Sequence, residues 1–244
     1  MKIYNYIKKH IQANKKMLAL LIDPDKCRGE ALVEQIHLIN QYEPHLILVG
    51  GSITRYSADE TVKYLKQKTN IPVVLYPGHP VQLSFSADAL LFLSMISGRN
   101  PELLIGAHVI SAPIIKEKGL ETIPTGYILI DGGVPTSVEY ISQTQPIPSN
   151  KPDIAAATAL AGEMLGLKMV YLDAGSGALN PVPPEMIKKI KSSIDIPLMI
   201  GGGINNEEKL KTAFKSGADI VVIGNVLEKD PHLLQSFMET THQS

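Results

Sequence analysis

Oxygen-bearing side chains and glycines recur directly after short apolar runs in this 244-residue chain. Asp23 follows the first run, Ser52 the second and Asp173 the sixth, and the last two runs lead into glycine turns. Carboxylate and hydroxyl oxygens are the ligands that hard cations such as Mg²⁺ prefer, and a carboxylate also accepts protons from hydroxyl groups. Backbone amides that glycine leaves uncovered bind phosphate. These residue types predict chemistry on phosphorylated substrates.

The first two turns could face one metal-bound diphosphate. The segment Asp23-Pro24-Asp25-Lys26 offers two carboxylates, and Ser52 offers a hydroxyl beside the paired glycines Gly50 and Gly51. Ends of adjacent barrel strands are neighbours in space, so Asp23 and Ser52 could approach the same group. Ordinary turns that lead into helices are the alternative interpretation of both motifs.

The segment Tyr171–Gly177 runs off the sixth apolar run. Side chains alternate along a strand, so Tyr171 and Asp173 share one side, which in a barrel points into the mouth. Asp173 could accept a proton from a substrate hydroxyl, and Ser176 with its flanking glycines could bond phosphate oxygens. A glycine-rich turn without a ligand is the alternative.

Two further turns predict a phosphate site. Gly201–Gly203 follows the seventh apolar run, and Gly224-Asn225 follows the eighth. In (β/α)8 barrels the loops after strands seven and eight commonly bind phosphate. Glycine removes the side-chain barrier and lets backbone N–H groups point at the anion.

The apolar runs that position these turns number eight, and they alternate with amphipathic segments. They lack the in-and-out alternation of half-exposed strands, so we expect parallel strands buried on both faces. The runs are Met17–Ile22, Leu46–Val49, Val73–Tyr76, Ala89–Leu93, Tyr127–Ile130, Met169–Leu172, Leu198–Ile200 and Ile220–Ile223.

Helical periodicity and caps mark the segments between the runs. Predicted helices cover Glu30–Gln41, Ala58–Lys68, Asp153–Leu165, Pro184–Lys191, Asn206–Lys215 and Pro231–Thr240. This strand–helix repeat in 244 residues predicts an α/β protein with a single (β/α)8 TIM barrel over residues 1–244. An open doubly wound sheet is the structural alternative. The proline-rich stretch Asp131–Pro152 is either a surface insertion or an element that covers the substrate.

Composition excludes several classes of protein. The formal net charge of −1 gives no global basic field, so we expect no nucleic-acid partner. The single cysteine, Cys27, rules out an internal disulfide framework and a cysteine-based zinc site. The first sixteen residues lack the apolar core of a signal peptide, and no run is long enough to span a membrane. We therefore expect a cytoplasmic protein without a transmembrane segment.

The motifs together resemble the geranylgeranylglyceryl phosphate synthase family, including its bacterial members, over almost the whole chain. The combination of LIDPDK, VGGSI and YLDAGSGA in this order is specific, whereas GGGI alone occurs in many phosphate-binding barrels. The matching segments are LIDPDK (21–26), VGGSI (49–53), YPG (76–78), SADALLFLS (86–94), RNP (99–101), IGAHV (105–109), KPDIAAATALAGEMLG (151–166), YLDAGSGA (171–178), GGGI (201–204) and GADIVVIGN (217–225).

The resemblance implies a magnesium-dependent prenyltransferase, with Asp23 and Ser52 as the Mg²⁺ ligands. It implies Asp173 and Tyr171 as catalytic residues, although many relatives have glutamate where this chain has the shorter Asp173. The implied sn-glycerol 1-phosphate site comprises Tyr171, Leu172, Asp173, Ala174, Gly175, Ser176, Gly177, Gly202, Gly203, Gly224 and Asn225. One subgroup has lysine at the position of Leu21. This departure indicates the other subgroup and a homo-oligomer, either a dimer or a hexamer.

The implied reaction transfers a geranylgeranyl group from its diphosphate to the C3 hydroxyl of sn-glycerol 1-phosphate and forms an ether-lipid precursor. The apolar strands three to five and their loops are candidates for the prenyl groove. A heptaprenyl donor is the nearest alternative, because no residue can be identified as the end wall that would set the length of the prenyl chain. A phosphosugar-metabolising barrel on the same phosphate turns, and a catalytically silent phosphate-binding barrel, are further alternatives.

Overall fold

Eight parallel strands close into one barrel in the order of the sequence. The computed structural model describes residues 2–244, and the predicted (β/α)8 barrel is confirmed. The strands are β1 (Met17–Ile22), β2 (Leu46–Val49), β3 (Val73–Leu75), β4 (Ala89–Met95), β5 (Thr122–Leu129), β6 (Met169–Asp173), β7 (Leu198–Gly201) and β8 (Ile220–Ile223).

Helices surround this barrel, and most lie where periodicity and caps predict them. Ser57 and Asn206 begin two of them as N-caps, because their side chains accept hydrogen bonds from the amides of Glu60 and Lys209. The helices are α1 (Lys2–Gln12), α2 (Glu30–Tyr42), α3 (Ala58–Lys68), α4 (Ala107–Lys118), α5 (Ser137–Ser142), α6 (Pro152–Met164), α7 (Pro184–Lys191), α8 (Glu207–Lys215), α9 (Asn225–Lys229) and α10 (Leu233–His242). A π-helical turn, Glu102–Gly106, leads into α4. None of the helices in residues 2–244 is both long and apolar enough to span a bilayer.

Strand side chains divide into two apolar layers. Leu18 and Leu20 of β1 join the layer between strands and helices, whereas Met17 and Ala19 join the layer inside the barrel. This alternation follows from the two-residue period of a strand. Tyr171 belongs to the inner layer, which places the end of β6 inside the barrel mouth.

Helix α1 closes the opposite, amino-terminal end of the barrel, and the sequence did not predict it. Ile3 and Ile7 are buried in the inner apolar layer. Glu121, which is distant along the chain, caps the N-terminus of α1. Its carboxylate accepts hydrogen bonds from the amides of Ile3 at 3.0 Å and Tyr4 at 2.9 Å. A carboxylate at a helix N-terminus is also favoured by the helix dipole.

Strand β5 begins five residues earlier than predicted, at Thr122 rather than Tyr127. Pro124 and Gly126 read as breakers in the sequence. The Pro124 carbonyl nevertheless accepts a hydrogen bond from Lys168 N at 2.8 Å, so pairing with the β6 side continues. At Gly126 a Cβ would lie 2.7 Å from Ile96 Cδ1, so glycine permits close packing here.

The connection from β3 to β4 contains no α-helix, which corrects the expected strand–helix repeat at this position. Only a 3₁₀ turn, Pro80–Gln82, lies between these strands. Gln82 holds the connection: it accepts a hydrogen bond from Gly78 N and donates one to Gly51 O, each at 2.9 Å. The ring of outer helices is therefore interrupted beside β3 and β4.

Replacing Glu121 by alanine should destabilise the fold by about 1–2 kcal/mol, because the amides at the start of α1 lose their acceptor. Urea unfolding followed by circular dichroism measures this loss. Glu117→Ala is the matched control, since the exposed Glu117 carboxylate pairs with the neighbouring Lys118. Equal stability of the two variants would contradict the capping role of Glu121.

Candidate active site

A cavity of about 920 Å³ opens at the carboxyl ends of the strands. It brings together residues from all four groups of turns that the sequence singled out. The predicted residues that line it are Asp23, Ser52, Tyr171, Asp173, Gly175, Ser176, Gly177, Gly202, Gly203, Gly224 and Asn225. Sequence motifs that are distant along the chain therefore share one space.

Leu172 and Ala174 are the predicted substrate-site residues whose side chains lie outside the cavity. Both side chains pack in the layer between the strands and the helices, because they alternate with Tyr171 and Asp173 along β6. The Ala174 amide is also used, since it donates to Gly201 O at 3.0 Å. Neither side chain reaches the cavity, so the predicted substrate contact of these two residues would be made by their backbone atoms, and it stays a prediction.

Asp173 lies at the end of β6 and is only 7% exposed. Its Oδ2 accepts hydrogen bonds from Tyr127 Oη at 2.6 Å and Tyr76 Oη at 3.2 Å. Its Oδ1 accepts a third from Gly175 N at 2.7 Å. A carboxylate has roughly four acceptor positions, so these donors leave one for a substrate hydroxyl.

Opposing effects act on the pKa of Asp173. Burial raises its pKa above the ordinary aspartate value, because the charged form loses hydration, and this effect is the largest. Hydrogen bonds from Tyr127, Gly175 and Tyr76 lower the pKa, because they stabilise the carboxylate. A carboxyl with a raised pKa in a cavity is suited to proton transfer.

Three tyrosine rings surround this carboxyl group. Tyr171 lies with its ring centroid 5.5 Å from those of both Tyr76 and Tyr127. Burial, followed by charge effects that include Asp173, raises the pKa of all three phenols well above the usual value. They therefore stay protonated at neutral pH, and Tyr76 and Tyr127 remain hydrogen-bond donors to Asp173.

The turn after β7 lies against the turn after β6. Gly202 has φ of +81°, and a Cβ there would lie 2.7 Å from Gly175 N and 2.8 Å from Asp173 Oδ1. Only glycine adopts this conformation without strain and leaves this space free. The backbone of the two turns thus forms one continuous wall of the cavity.

The turn after β8 meets the turn after β6 through side chains. Ser176 Oγ donates a hydrogen bond to Asn225 Oδ1 at 2.9 Å. Gly224, directly before α9, also lines the cavity, and a Cβ there would lie 3.5 Å from Leu21 Cβ. Amides and hydroxyls from three turns are therefore available to one anion.

The residues on the other side fit a magnesium ion that is shared with a substrate. Asp23 and Ser52 both line the cavity, and a Cβ at Gly51 would lie 3.3 Å from Asp23 Oδ2, so glycine leaves the carboxylate uncovered. Residues 2–244 contain no group of three or more His, Cys, Asp or Glu side chains that could hold a metal alone. Mg²⁺ is often held by one or two protein oxygens together with substrate phosphates.

Asp25, the second carboxylate of the first motif, has a different role. It accepts hydrogen bonds from the amides of Arg55 and Tyr56 at 2.8–2.9 Å, and these bonds lower its pKa. Asp25 thereby links the loop after β1 to the loop after β2. This contact fixes the two loops that carry Asp23 and Ser52.

Sequence reasoning missed Tyr76 and Tyr127 as partners of Asp173. The cross-strand register pairs Tyr127 with Tyr171, and no single-sequence signal supplies that register. Residues of the proline-rich stretch were also left undecided. Val138 and Tyr140 of α5 line the cavity, so part of this stretch forms the wall of the site.

Tyr127→Phe should raise the pKa of Asp173 further, because the carboxylate loses its shortest hydrogen bond while its burial remains. Carbon-13 NMR titration of the aspartate carboxyl groups measures the direction of this shift. Tyr4→Phe is the control, since the Tyr4 hydroxyl donates to Lys168 O and not to Asp173. An unchanged or lowered Asp173 pKa in Tyr127→Phe would contradict the proposed stabilisation.

Comparison with known proteins agrees with this geometry. The sequence is 50% identical over 243 residues to the geranylgeranylglyceryl phosphate synthase of Chitinophaga pinensis, which covers 99% of this chain and 96% of that protein. It is 41% identical over 229 residues to the geranylgeranylglyceryl phosphate synthase of Pyrococcus abyssi, covering 93% of this chain and 90% of that one.

A solved structure is similar over the full length of both chains. It is the (S)-3-O-geranylgeranylglyceryl phosphate synthase from Thermoplasma acidophilum in complex with its substrate sn-glycerol-1-phosphate, with a TM-score of 0.91 at 28% identity. The model of the PcrB family matches residues 10–241 of this sequence. This match spans nearly all of the barrel, and the chain therefore belongs to the PcrB family.

Proposed function

We propose that this protein is a geranylgeranylglyceryl phosphate synthase. It transfers a geranylgeranyl group from geranylgeranyl diphosphate to the C3 hydroxyl of sn-glycerol 1-phosphate, with Mg²⁺ as cofactor. The main support for this proposal is that one cavity is lined by three features. They are the buried Asp173 carboxyl group, glycine turns suited to phosphate, and the Asp23–Ser52 pair suited to a cation. The names of the relatives and the acceptor-bound structure support the same reaction.

The acceptor fits the side of the cavity formed by the turns after β6, β7 and β8. Its phosphate would accept hydrogen bonds from backbone amides near Gly202 and Gly224 and from Ser176. Its glycerol hydroxyls would then extend towards Asp173 and Tyr171. This orientation uses the remaining acceptor position of the Asp173 carboxylate.

The donor diphosphate fits the opposite side, where Asp23 and Ser52 would hold Mg²⁺. The ion supplies neutralisation of the charge that develops on the departing diphosphate. Two protein ligands are sufficient for a magnesium ion whose other ligands are diphosphate oxygens and water.

The chemical step forms one carbon–oxygen bond and breaks another. The acceptor C3 oxygen attacks the allylic C1 of the donor, and the C1–diphosphate bond breaks with its electron pair leaving on the diphosphate. The hydroxyl proton goes to Asp173, whose raised pKa suits a general base. Tyr76 and Tyr127 hold the carboxylate in place during this step.

The prenyl tail fits the end of β4 and the loop that follows it. Phe92, Leu93, Met95 and Ile96 are only partly buried there, and no α-helix follows β3 on that side. Burying each CH₂ of an isoprenoid contributes about 0.8 kcal/mol. Leu93 and Met95 pack against the layer inside the barrel and offer apolar surface to a tail that enters from the cavity. Phe92 and Ile96 pack against the layer between strands and helices.

We propose a homo-oligomer, either a dimer or a hexamer, because the outer face of α4 is apolar. Val109 and Ile110 are 66% and 71% exposed, and Met164 and Leu165 at the end of α6 are also exposed. Contiguous exposed apolar patches mark interaction surfaces. Sedimentation velocity of the purified protein tests this assembly, and a monomer would contradict it.

The single domain over residues 1–244 and the cytoplasmic location stay predictions.

The alternatives use the same cavity differently. A heptaprenyl donor with the same acceptor differs only in tail length. A phosphosugar-metabolising barrel would use the glycine turns without a magnesium diphosphate. A catalytically silent barrel would bind the acceptor and turn over no donor.

The deciding assay offers both enantiomers of glycerol phosphate with prenyl diphosphates of graded length, with and without Mg²⁺. We expect product only with sn-glycerol 1-phosphate and Mg²⁺, and the highest kcat/KM with the twenty-carbon donor. Preference for the thirty-five-carbon donor would favour the heptaprenyl enzyme. Acceptor binding in calorimetry without turnover of any donor would favour the silent barrel.

Asp23→Asn should lower kcat/KM roughly 100-fold or more, because losing one anionic magnesium ligand removes several kcal/mol of charge stabilisation. Raising the Mg²⁺ concentration should recover part of the activity. Asp195→Asn, at an exposed position before β7, is the control for the charge change. Full activity of Asp23→Asn without Mg²⁺ would instead favour a phosphosugar enzyme.

Gly202→Ala should weaken binding of sn-glycerol 1-phosphate about tenfold or more, because the methyl group strains the turn and fills space beside Gly175. Isothermal titration calorimetry measures the dissociation constant. Gly166→Ala is a matched control: its φ is +91°, and a Cβ there meets nothing within 4 Å. Equal affinity in both variants would place the acceptor phosphate elsewhere.

A further inference from the structure

Lys26 lines the cavity, and neither the sequence motifs nor the proposed reaction assigns a role to its ammonium group. Its Nζ lies 3.3 Å from Asn225 Oδ1 and 3.5 Å from Ser176 Oγ. On the other side it lies 3.6 Å from Asp23 Oδ2 and 3.7 Å from Glu228 Oε1. The ammonium group therefore lies between two sides of one cavity, which we call the cation side and the phosphate side.

The cation side is the part of the cavity beside Asp23, and the phosphate side is the part beside Ser176 and Asn225.

None of these four contacts is tight. The Lys66 ammonium lies 2.7 Å from Asp88, and the Lys191 ammonium lies 2.7 Å from Asp219. Charge-assisted N–H···O bonds are usually about 2.7–2.9 Å long. The Lys26 ammonium group lies 3.3–3.7 Å from four oxygen atoms, farther than in a close ion pair. Its charge therefore remains available to an incoming anion.

The backbone that carries Lys26 is fixed before any ligand binds. Lys26 N donates a hydrogen bond to Asp23 O at 3.1 Å. The preceding Asp25 is held by the amides of Arg55 and Tyr56. The side chain, in contrast, is 42% exposed and borders open cavity. An anion that enters the cavity can therefore reach the ammonium group without a rearrangement of the loop.

We propose that Lys26 binds the phosphate group of the acceptor, together with Ser176 and Asn225. The identity of this ligand as a glycerol phosphate rests on the proposed function. The two oxygens nearest to the ammonium group belong to the phosphate side. Lys26 places a full positive charge beside Ser176 and Asn225, whose side chains carry none.

The charge has a specific consequence for the phosphate. The turns after β6, β7 and β8 supply hydrogen bonds but no formal charge, whereas hydrogen bonds from a lysine ammonium are roughly twice as strong as neutral ones. The carboxylates of Asp23 and Glu228 keep the ammonium group in the cavity while the phosphate is absent. An incoming phosphate then replaces these two distant contacts with a close one.

The test measures binding of sn-glycerol 1-phosphate and of inorganic phosphate to the metal-free protein by isothermal titration calorimetry. Lys26→Met should weaken both ligands by a similar factor of about 10- to 100-fold, because the lost contact is to the phosphate group. Lys26→Arg should recover part of this loss. The control Lys188→Met removes an exposed ammonium that pairs with Glu185 on α7, and it should bind as the wild type does.

Steady-state kinetics separates the phosphate role from a structural or donor-binding role. The KM for sn-glycerol 1-phosphate should rise in Lys26→Met, while the KM for the prenyl diphosphate stays within about twofold. Thermal unfolding should be unchanged, because the side chain is partly exposed and lacks a close partner. A rise in the donor KM alone would assign Lys26 to the diphosphate and overturn the proposal.

Failure of this inference and failure of the proposed function give different results. If the wild type binds sn-glycerol 1-phosphate and Lys26→Met binds it equally well, the role of Lys26 is wrong and the synthase function stands. If the wild type binds neither sn-glycerol 1-phosphate nor inorganic phosphate, the acceptor site itself is wrong, and both proposals are overturned.

Discussion

Burial of the Asp173 carboxyl group constrains the whole upper part of the barrel. A carboxylate removed from water is costly unless hydrogen bonds compensate for the lost hydration. Here the compensating donors come from the end of β3, from β5 and from the turn after β6, as Tyr76, Tyr127 and the Gly175 amide. These elements must therefore stay in register for the carboxyl group to be tolerated. The stability of the barrel top and the chemistry of the site depend on the same contacts.

The same crowding explains why glycine surrounds this carboxyl group. At Gly201 a Cβ would lie 2.2 Å from Tyr171 Oη, and at Gly202 it would meet Asp173 itself. The buried tyrosine cluster occupies the space that side chains would need. The strand ends therefore approach one another through bare backbone, and amides become the surface of the cavity. Suitability for phosphate follows from how tightly the aromatic layer is packed beneath it.

Much of the fold could be predicted because its signals are local. The bounds of β1, β2 and β8, and those of α3 and α7, follow from apolar runs and caps. The start of β5 was not predictable, because Pro124 is accommodated by a partner strand rather than by its own neighbours. Asp23 and Asp173 could be predicted because strand ends converge on one face. The sequence assigned no role to Tyr76 or Lys26, because their contacts form only where side chains from separate strands and loops meet.

A reaction that joins two anionic substrates must overcome their mutual repulsion. The net charge of −1 for the whole chain provides no general attraction, so the positive charge must be local. The cavity has a carboxylate suited to a divalent cation at Asp23, an ammonium group at Lys26, and neutral amide turns beyond it. In the proposed arrangement, with the donor at Asp23 and the acceptor at the glycine turns, positive charge would lie between the two anions. In that arrangement charge positions the two substrates, and the buried Asp173 carboxyl group acts on the acceptor hydroxyl.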